Sequence, residues 1–194
     1  APLTETDRPQ PTDAYGRSKL MAEQFLAETL AGSATGWTAL RPVLVYGPGV
    51  KGNLRSLVSL ARRSLPLPFG SLTNRRSILS LPNLGSAVVH ALTAMSACNR
   101  VLLVADPEPV RIGDIVAALR SAEGRSPGIV ALPLGPVAML AAMAGRRQAW
   151  ERLAGDLVVD TSALVRSGWH PVESTAEGLA RWMQREAAIP VWLR

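Results

Sequence analysis

The sequence predicts an α/β fold, and three features of its 194 residues point that way. Short apolar runs of strand character alternate with segments of helical periodicity along the chain. Clusters of glycine and proline separate these segments, as they do in loops. Hydrophobic residues make up 47% of the chain, which is enough for one domain with a buried core.

The composition narrows the classes of partner and site. The net charge of +6, carried mostly by arginine, favours anionic ligands such as phosphates and nucleotides. Nucleic acid is the weaker choice, because the arginines are scattered and the tryptophans do not interleave with a basic run. A single cysteine, Cys98, excludes an internal disulfide framework. The two histidines, His90 and His170, are far apart in the sequence, which argues against a zinc site.

The first elements follow from local signals. Residues 1–12 are polar and proline-rich, which predicts an irregular lead-in and no signal peptide. Asp13 can cap a helix that runs to about Ala31, where Gly32 ends it. The run WTALRPVLVYG, residues 37–47, then predicts a strand that ends at a Gly-Pro-Gly loop.

The next segments continue the alternation. Asn53 is the expected N-cap of a helix over residues 54–63, and the prolines of LPLPFG hold the following segment extended. RRSILSL predicts a short strand, and Pro82 indicates the first turn of a helix that runs to about Ala97. RVLLVA predicts a further strand. Helices are also predicted over residues 112–122, 160–167 and 174–186, with Gly168 ending the second of these.

The most hydrophobic stretch is IVALPLGPVAMLAAMA, residues 129–144. It contains two prolines and is too short to span a bilayer comfortably. We interpret it as a buried strand and helix, with a membrane-surface hairpin as the alternative.

The run DAYGRSKLMAE, residues 13–23, puts Tyr15 four residues before Lys19 on the first predicted helix. Four residues along a helix place two side chains on one face, about 5–6 Å apart at Cβ. A phenol is a poor base at neutral pH, but a nearby ammonium favours its phenolate form. The spacing suits proton transfer to and from an alcohol oxygen, although solvated polar faces show the same pattern.

Four motifs follow one another in the chain: TETDRPQPTDAYGRSKLMAEQ, LRPVLVYGPGVKGN, NRRSILSLPNLGSAVVHAL and VDTSALVRSGWHPVESTAEGLARW. In this order they resemble the extended short-chain dehydrogenase/reductase (SDR) family, and within it the NAD-dependent sugar epimerase/dehydratase group, which includes UDP-glucose 4-epimerase-like enzymes. The resemblance covers nearly the whole chain. The NRRS and PFG segments are most similar to the branch that works on UDP-N-acetylated sugars in polysaccharide assembly.

The resemblance implies a partial NAD(P)-binding Rossmann-like, doubly wound fold of the extended SDR type, with a smaller, mostly helical substrate-binding lobe. Residues 1–47 would end the Rossmann-like domain and carry the active-site helix. Residues 48–194 would form the substrate lobe, interleaved with returning Rossmann elements around residues 76–105. The family's Gly-rich phosphate loop, acidic ribose-binding residue and catalytic Ser or Thr lie further upstream. We therefore expect this C-terminal portion to bind dinucleotide weakly or not at all and to be inactive by itself.

The resemblance also implies roles for residues near the cofactor. Tyr15 would be the catalytic acid/base, and Lys19 would favour its phenolate and hydrogen-bond the nicotinamide ribose. Pro42 and Val43 lie where the family's strand passes the nicotinamide. Leu44 stands where epimerases often carry an asparagine that touches the substrate, and this departure argues against a standard UDP-galactose epimerase.

Four positions are implied in substrate binding. Asn53 matches a position that contacts the nucleotide diphosphate, although a helix N-cap explains it equally well. Pro68 and Phe69 lie in the segment that flanks the uracil ring, although Phe69 also suits a hydrophobic core. Arg76 matches the arginine that grips the pyrophosphate, a role suited to a guanidinium fork, whereas Arg75 is expected at the surface.

Other residues are expected to serve packing rather than chemistry. We interpret His90 as a satisfied core or interface histidine. Three tryptophans are interpreted as packing residues: Trp150, Trp169 and Trp182.

The implied ligands are NAD or NADP and a UDP-sugar or related nucleoside-diphosphate sugar. The resemblance implies a cytoplasmic homodimer that forms through the active-site helix. From the composition and hydropathy we expect no membrane, nucleic-acid or metal partner. Two alternatives stay open. The chain is a non-catalytic nucleotide-sugar-binding or dimerisation module, or it belongs to a reductase of a non-nucleotide carbonyl, which the arginine-rich motifs disfavour.

Overall fold

A computed structural model of the chain describes residues 1–49, 52–143, 145, 147, 150 and 154–188. Its helices are α1 (Ala14–Thr29), α2 (Gly52–Ala61), α3 (Leu81–Thr93), α4 (Ile112–Ala122), α5 (Leu134–Met143), α6 (Ser162–Arg166) and α7 (Thr175–Ala188). Its strands are β1 (Thr38–Pro42), β2 (Leu44–Tyr46), β3 (Arg75–Arg76), β4 (Ile78–Ser80), β5 (Arg100–Val104) and β6 (Val110–Arg111). None of the helices in these ranges combines the length and hydrophobicity needed to cross a bilayer.

The strands pair in three two-stranded sheets. β1 and β5 are parallel, with Pro42 opposite Val104 at their carboxyl ends. β2 and β4 are also parallel and bring Tyr46 beside Ser80 in the same way. β3 and β6 pair antiparallel. Parallel strands joined through helices confirm the predicted α/β class.

The strand predicted over residues 37–47 is in fact two strands, which separate at Val43. β1 pairs with β5, whereas β2 pairs with β4. The N–H of Val43 still donates to the Val104 carbonyl at 3.1 Å, so the chain passes from one pair to the other without a loop. The sequence pattern does not show this change of partner because both halves of the run are apolar.

Two boundaries differ from the sequence prediction for local backbone reasons. The helix expected to reach Ala97 ends at Thr93, because Ala94 is extended, and a short 3-10 helix (Met95–Ala97) follows. LPLPFG is extended only to Leu67. There the Phe69 N–H donates to the Leu67 carbonyl at 2.9 Å, a γ-turn centred on a proline whose fixed φ suits it.

Helix α1 begins where the sequence predicts. Oδ1 of Asp13 accepts the N–H of Gly16 at 2.7 Å, which is an N-cap bond. None of the residues of α1, all of them in the described part of the chain, is buried. Tyr15, Met21 and Phe25 are 71%, 68% and 71% exposed. The helix therefore presents an apolar surface that this chain leaves uncovered.

Two hydrophobic cores hold the elements together. The first surrounds α2, α4 and α7, and its largest fully buried side chains include Tyr46, Ile115 and Trp182. The second lies between α3, α6 and strands β4 and β5, and it includes Leu102 and Trp169. Trp150 packs against the first core. All three tryptophans are thus packing residues, in agreement with the sequence interpretation.

In the stretch predicted to be a buried strand and helix, most of the side chains that the structure describes are exposed. A β-bridge between Leu67 and Ile129 ties its start to the body of the protein. Beyond it, Leu132, Met139 and Met143 are 45%, 62% and 77% exposed. The prediction of burial is wrong here because apolar composition does not reveal whether a helix has a partner to pack against.

Candidate active site

The predicted acid–base pair lies in the first turns of α1. The Nζ atom of Lys19 is 5.4 Å from the centre of the Tyr15 ring, so the two side chains share one face of the helix. Tyr15 is 71% exposed. The phenol and the ammonium are therefore both near each other and accessible to a reactant.

The lead-in packs closely against the start of this helix. A Cβ added to Gly16 would lie 3.0 Å from Cβ of Pro11 and 3.1 Å from Oδ1 of Asp13. Only a residue without a side chain fits there without a shift. The absence of a side chain at position 16 thus lets the proline-rich segment cross the first turn beside Tyr15.

The positions implied near the nicotinamide lie at the end of the β1–β5 pair. Pro42 is the exposed last residue of β1. In α/β sheets, ligands bind outside the carboxyl ends of the strands, so Pro42 lies at the expected edge. Val43 is partly buried against the second core, and Leu44 against the first.

Arg76 is the second residue of β3 and is half-buried. Its Nη2 donates to the Gly155 carbonyl at 3.2 Å, and its buried Nε has no hydrogen-bond partner among the described residues. Burial lowers the pKa of Arg76, and the charge of Asp156 opposes this shift. A buried donor without a partner is a natural contact for an anionic ligand.

Residues 155–157 run beside β3 and supply these neighbours. The N–H of Arg75 donates to Oδ1 of Asp156 at 2.7 Å, and the N–H of Leu157 donates to the Arg75 carbonyl at 3.0 Å. Arg75 itself is exposed, as expected. The segment that frames Arg76 therefore comes from about eighty residues further along the chain.

The other implied substrate positions have different surroundings. Asn53 falls in the first turn of α2, and its side chain lies outside the described part of the structure. Phe69 is only 5% exposed and belongs to the first core, which is the alternative that the sequence left open. Pro68 is half-buried in the turn before it. The Phe69 ring therefore offers little surface to a nucleotide base.

Two cavities in the described part of the chain show how the predicted site residues are distributed. One cavity of about 350 Å³ opens at the carboxyl ends of β2 and β4, between Tyr46 and Arg181. Another of about 410 Å³ lies between α1 and β1, beside the ion pair of Glu23 and Arg41. Neither of these two is lined by the Tyr–Lys pair or by the β3 arginine.

Sequence reasoning missed a buried polar network beside the first of these cavities. The Tyr46 hydroxyl donates to Oδ2 of Asp106 at 2.8 Å. Oδ1 of Asp106 accepts the Ser80 N–H at 3.0 Å and Nδ2 of Asn83 at 2.7 Å. Burial raises the pKa of Asp106, against the effect of these three bonds. Burial also raises the pKa of Tyr46, and the charge of Asp106 adds to that shift. The sequence feature that could have indicated this network is Asn83, a polar residue within the largely apolar helix α3.

His90 is satisfied, as the sequence interpretation expects. Its Nε2 lies 2.9 Å from Oγ of Ser167, within hydrogen-bonding distance. Within the described ranges, no group of three or more His, Cys, Asp or Glu side chains could hold a metal ion.

The parallel strands joined through helices are those of a Rossmann-like protein of the extended SDR class, and comparison with known proteins agrees. The model of the NAD dependent epimerase/dehydratase family matches residues 1–105. The chain is 35% identical over 185 residues to a UDP-glucose 4-epimerase of Vibrio cholerae, a match that covers 94% of this chain and 56% of that protein. The chain belongs to the NAD-dependent epimerase/dehydratase family.

Two further proteins are similar over most of the chain. The structure of a UDP-glucuronic acid 4-epimerase from Bacillus cereus in complex with NAD superposes with a TM-score of 0.69 at 21% identity, over 93% of this chain and 53% of that one. The N-acetyl-α-D-glucosaminyl-diphospho-ditrans,octacis-undecaprenol 4-epimerase of Escherichia coli O157:H7 is 23% identical over 91% of this chain and 57% of that protein. The chain thus spans little more than half the length of these relatives.

Proposed function

We propose that this chain forms the acid–base and sugar-diphosphate-binding part of an NAD(P)-dependent epimerase, dehydratase or 4-ketoreductase of nucleoside-diphosphate sugars. The observation that carries the proposal is the exposed pair of Tyr15 and Lys19, with the ammonium 5.4 Å from the ring centre. The pair belongs to a chain that matches a UDP-glucose 4-epimerase over 94% of its length.

Tyr15 and Lys19 move a proton in this proposal. The Tyr15 phenolate accepts the proton of a sugar hydroxyl. The carbon that bears this hydroxyl loses a hydride at the same time and becomes a carbonyl carbon. The Lys19 ammonium stabilises the phenolate. NAD(P), when bound, supplies the acceptor and donor of the hydride. Tyr15 returns the proton to the oxygen when the carbonyl is reduced, and reduction from the opposite face inverts the carbon.

The same two side chains fit the ribose end of the cofactor. An ammonium and a phenol offer hydrogen-bond donors that suit ribose hydroxyls. Pro42 closes the adjoining strand at the edge where ligands of α/β sheets bind, and Val43 follows it. Lys19 therefore has two tasks, orienting the ribose and stabilising the phenolate.

Arg76 binds the diphosphate of the substrate in this proposal. Its Nε lacks a partner among the described residues, while Nη2 is held by the Gly155 carbonyl at 3.2 Å. This bond fixes the guanidinium and leaves donors free for phosphate oxygens. The family resemblance assigns further substrate contacts to Asn53 and Pro68 in this proposal.

A second candidate has the same sugar-diphosphate chemistry on a polyprenol carrier. The printed name of the Escherichia coli relative describes such a substrate. The observation that favours it here is the exposed apolar stretch around α5, in which Met139 and Met143 are 62% and 77% exposed. Turnover of a UDP-sugar and of a polyprenyl-diphosphate sugar, compared in one assay, separates the two candidates.

Calorimetry with UDP tests the binding half of the proposal on this chain directly. We expect UDP to bind, the substitution Arg76→Ala to weaken binding about tenfold or more, and Arg75→Ala to leave it nearly unchanged. Arg75 is a matched control because it is the exposed neighbour on the same strand. Equal effects of the two substitutions, or no binding of UDP to the wild-type chain, would contradict the proposal.

A further inference from the structure

The stretch that contains α5 is apolar on every side. Residues 129–143 include no charged side chain, no hydroxyl and no amide side chain. A helix that is hydrophobic all round is normally buried in a protein core or in lipid. Here Leu134, Met139 and Met143 of the helix are 38%, 62% and 77% exposed. An exposed apolar surface of this kind marks a site of contact with another protein or with lipid.

The apolar surface extends beyond the helix. The Leu67 N–H donates to the Gly128 carbonyl at 2.9 Å, and the Val130 N–H donates to the Leu67 carbonyl at 3.0 Å. These bonds set Leu65 beside the start of the stretch, and Leu65 is 66% exposed. We call the resulting surface the apolar face: Leu65, Val130, Leu132, Leu134, Met139 and Met143.

Arginines surround the base of the apolar face. Arg120 donates to the carbonyls of both Leu65 and Gly128. Arg125 donates to the Arg63 carbonyl, and Arg62 pairs with Glu123 and Glu186. Four arginines at this base, at positions 62, 63, 120 and 125, face two glutamates, at positions 123 and 186, which leaves an excess of two positive charges. The Arg63 side chain is exposed.

We propose that the apolar face docks on the surface of a bilayer that contains anionic phospholipid. Apolar side chains enter the boundary between headgroups and acyl chains, and the exposed Arg63 meets a lipid phosphate. The other three arginines are buried or ion-paired and contribute through their long-range positive charge. With ten residues, α5 is too short to cross a bilayer, so it lies in the interface.

Charge is the reason to choose lipid over a second copy of this chain. A second copy would cover the apolar side chains but would bring the same positive excess against itself. An anionic bilayer would cover the apolar side chains and would also attract the positive charge beside them. The sequence expectation of no membrane partner depended on burial of residues 129–144, and the exposure of Leu132, Met139 and Met143 removes that support. The inference does not depend on the proposed function, because the Tyr–Lys pair plays no part in it.

Co-sedimentation with lipid vesicles tests this inference on the full 194-residue chain. We expect binding to vesicles of equal parts phosphatidylglycerol and phosphatidylethanolamine, weaker binding to phosphatidylcholine, and loss of the difference at high salt. The double substitution Met139→Glu and Met143→Glu should lower binding by about tenfold or more, because two apolar side chains no longer enter the lipid. The substitutions Leu92→Glu and Met95→Glu are the control, since these residues are 81% and 85% exposed on another surface.

Arg63→Glu supplies a second, independent variant in case the double substitution disturbs folding. It should lower binding to the anionic vesicles and leave binding to phosphatidylcholine unchanged. No binding of the wild-type chain to anionic vesicles overturns the inference, as does equal binding by the wild type and a folded double variant. Sedimentation velocity completes the test: a dimer that the methionine substitutions abolish, without vesicle binding, assigns the apolar face to self-association instead.

Discussion

The hydroxyl of Tyr46 donates a 2.8 Å hydrogen bond to the carboxylate of Asp106, 60 residues further along the chain. Tyr46 is 1% exposed and Asp106 is 3% exposed. The bond links the carboxyl end of β2 to the segment after β5, while Asn83 links the same carboxylate to α3. One buried carboxylate thus joins the two parallel strand pairs.

The substitution Tyr46→Phe should destabilise the protein without changing its fold. It removes the hydroxyl that donates to Oδ2 of Asp106 and leaves the ring in place, so a buried carboxylate oxygen loses its hydrogen bond. Losing a hydrogen bond to a charged group costs about 1.5–3 kcal/mol of unfolding free energy, measured by urea denaturation. Tyr15→Phe is the control, because Tyr15 is 71% exposed and its change should be within about 0.5 kcal/mol. Equal stability of the Tyr46→Phe protein and the wild type would show that the network contributes nothing.

Asp106 should make stability depend on pH with a definite sign. Burial raises its pKa above the ordinary 3.8, so the folded chain binds this proton more tightly than the unfolded chain does. Stability from this group is therefore full below pH about 3.8 and decreases as pH rises through the raised pKa. In urea titrations between acidic and neutral pH, the wild type should lose free energy relative to Asp106→Asn as pH increases. A difference that stays constant or grows with pH contradicts this assignment.

Local signals in the sequence predicted the helices well but not the contacts between elements. The start of α1 follows from Asp13 and the residues next to it, and these are neighbours in the chain. The change of sheet at Val43 depends on which strands are available elsewhere. The bond between Tyr46 and Asp106 likewise joins distant residues, and no periodic pattern encodes it. For the same reason, the apolar stretch of α5 predicted burial but could not supply a partner.

Arg120 should be the most sensitive arginine for stability. It is 3% exposed, and its guanidinium donates to five backbone carbonyls. The substitution Arg120→Met removes all five bonds. Among the contacts described, it leaves the carbonyls of Leu65 and Pro127 with no other donor, so it should cost about 3 kcal/mol or more of unfolding free energy. Arg166→Met is the control, since Arg166 is exposed and bonds only Oγ of Ser162 among the contacts described, so about 0.5 kcal/mol or less is expected. Similar thermal midpoints for the two variants would contradict this role.

Tyr15→Phe should separate chemistry from binding in any form of the protein that turns over a sugar nucleotide. The substitution removes the proton-carrying oxygen and leaves the ring, so kcat should fall by about 10²–10⁴ while KM changes little. Ser18→Ala is a matched control on the same turn, because its hydroxyl bonds only the Tyr15 carbonyl in the described structure. A Tyr15→Phe enzyme with wild-type kcat would remove the acid–base role.

As with the fold, the sequence predicts the local features of the candidate site but not the features that depend on distant residues. The spacing of Tyr15 and Lys19 is a property of one helix, so the sequence alone predicts that they share a face. The surroundings of Arg76 are not local, since its Nη2 bonds Gly155, which is 79 residues away. Phe69 could have faced a ligand or the core, and only the packing of α2 and α4 decides for the core.

The uncovered face of α1 leads to a last prediction, that the chain forms a homodimer through this helix. Phe25 and Met21, four residues apart, are 71% and 68% exposed and lie on one side of α1. Burying such a side chain is worth about 1.5–3 kcal/mol, so Phe25→Glu should weaken association by about tenfold or more. Sedimentation velocity at several concentrations measures this, with Leu92→Glu as the control because Leu92 is 81% exposed on α3. A wild-type chain that stays monomeric at all concentrations, or a Phe25→Glu chain that dimerises equally well, would mean that α1 is not the interface.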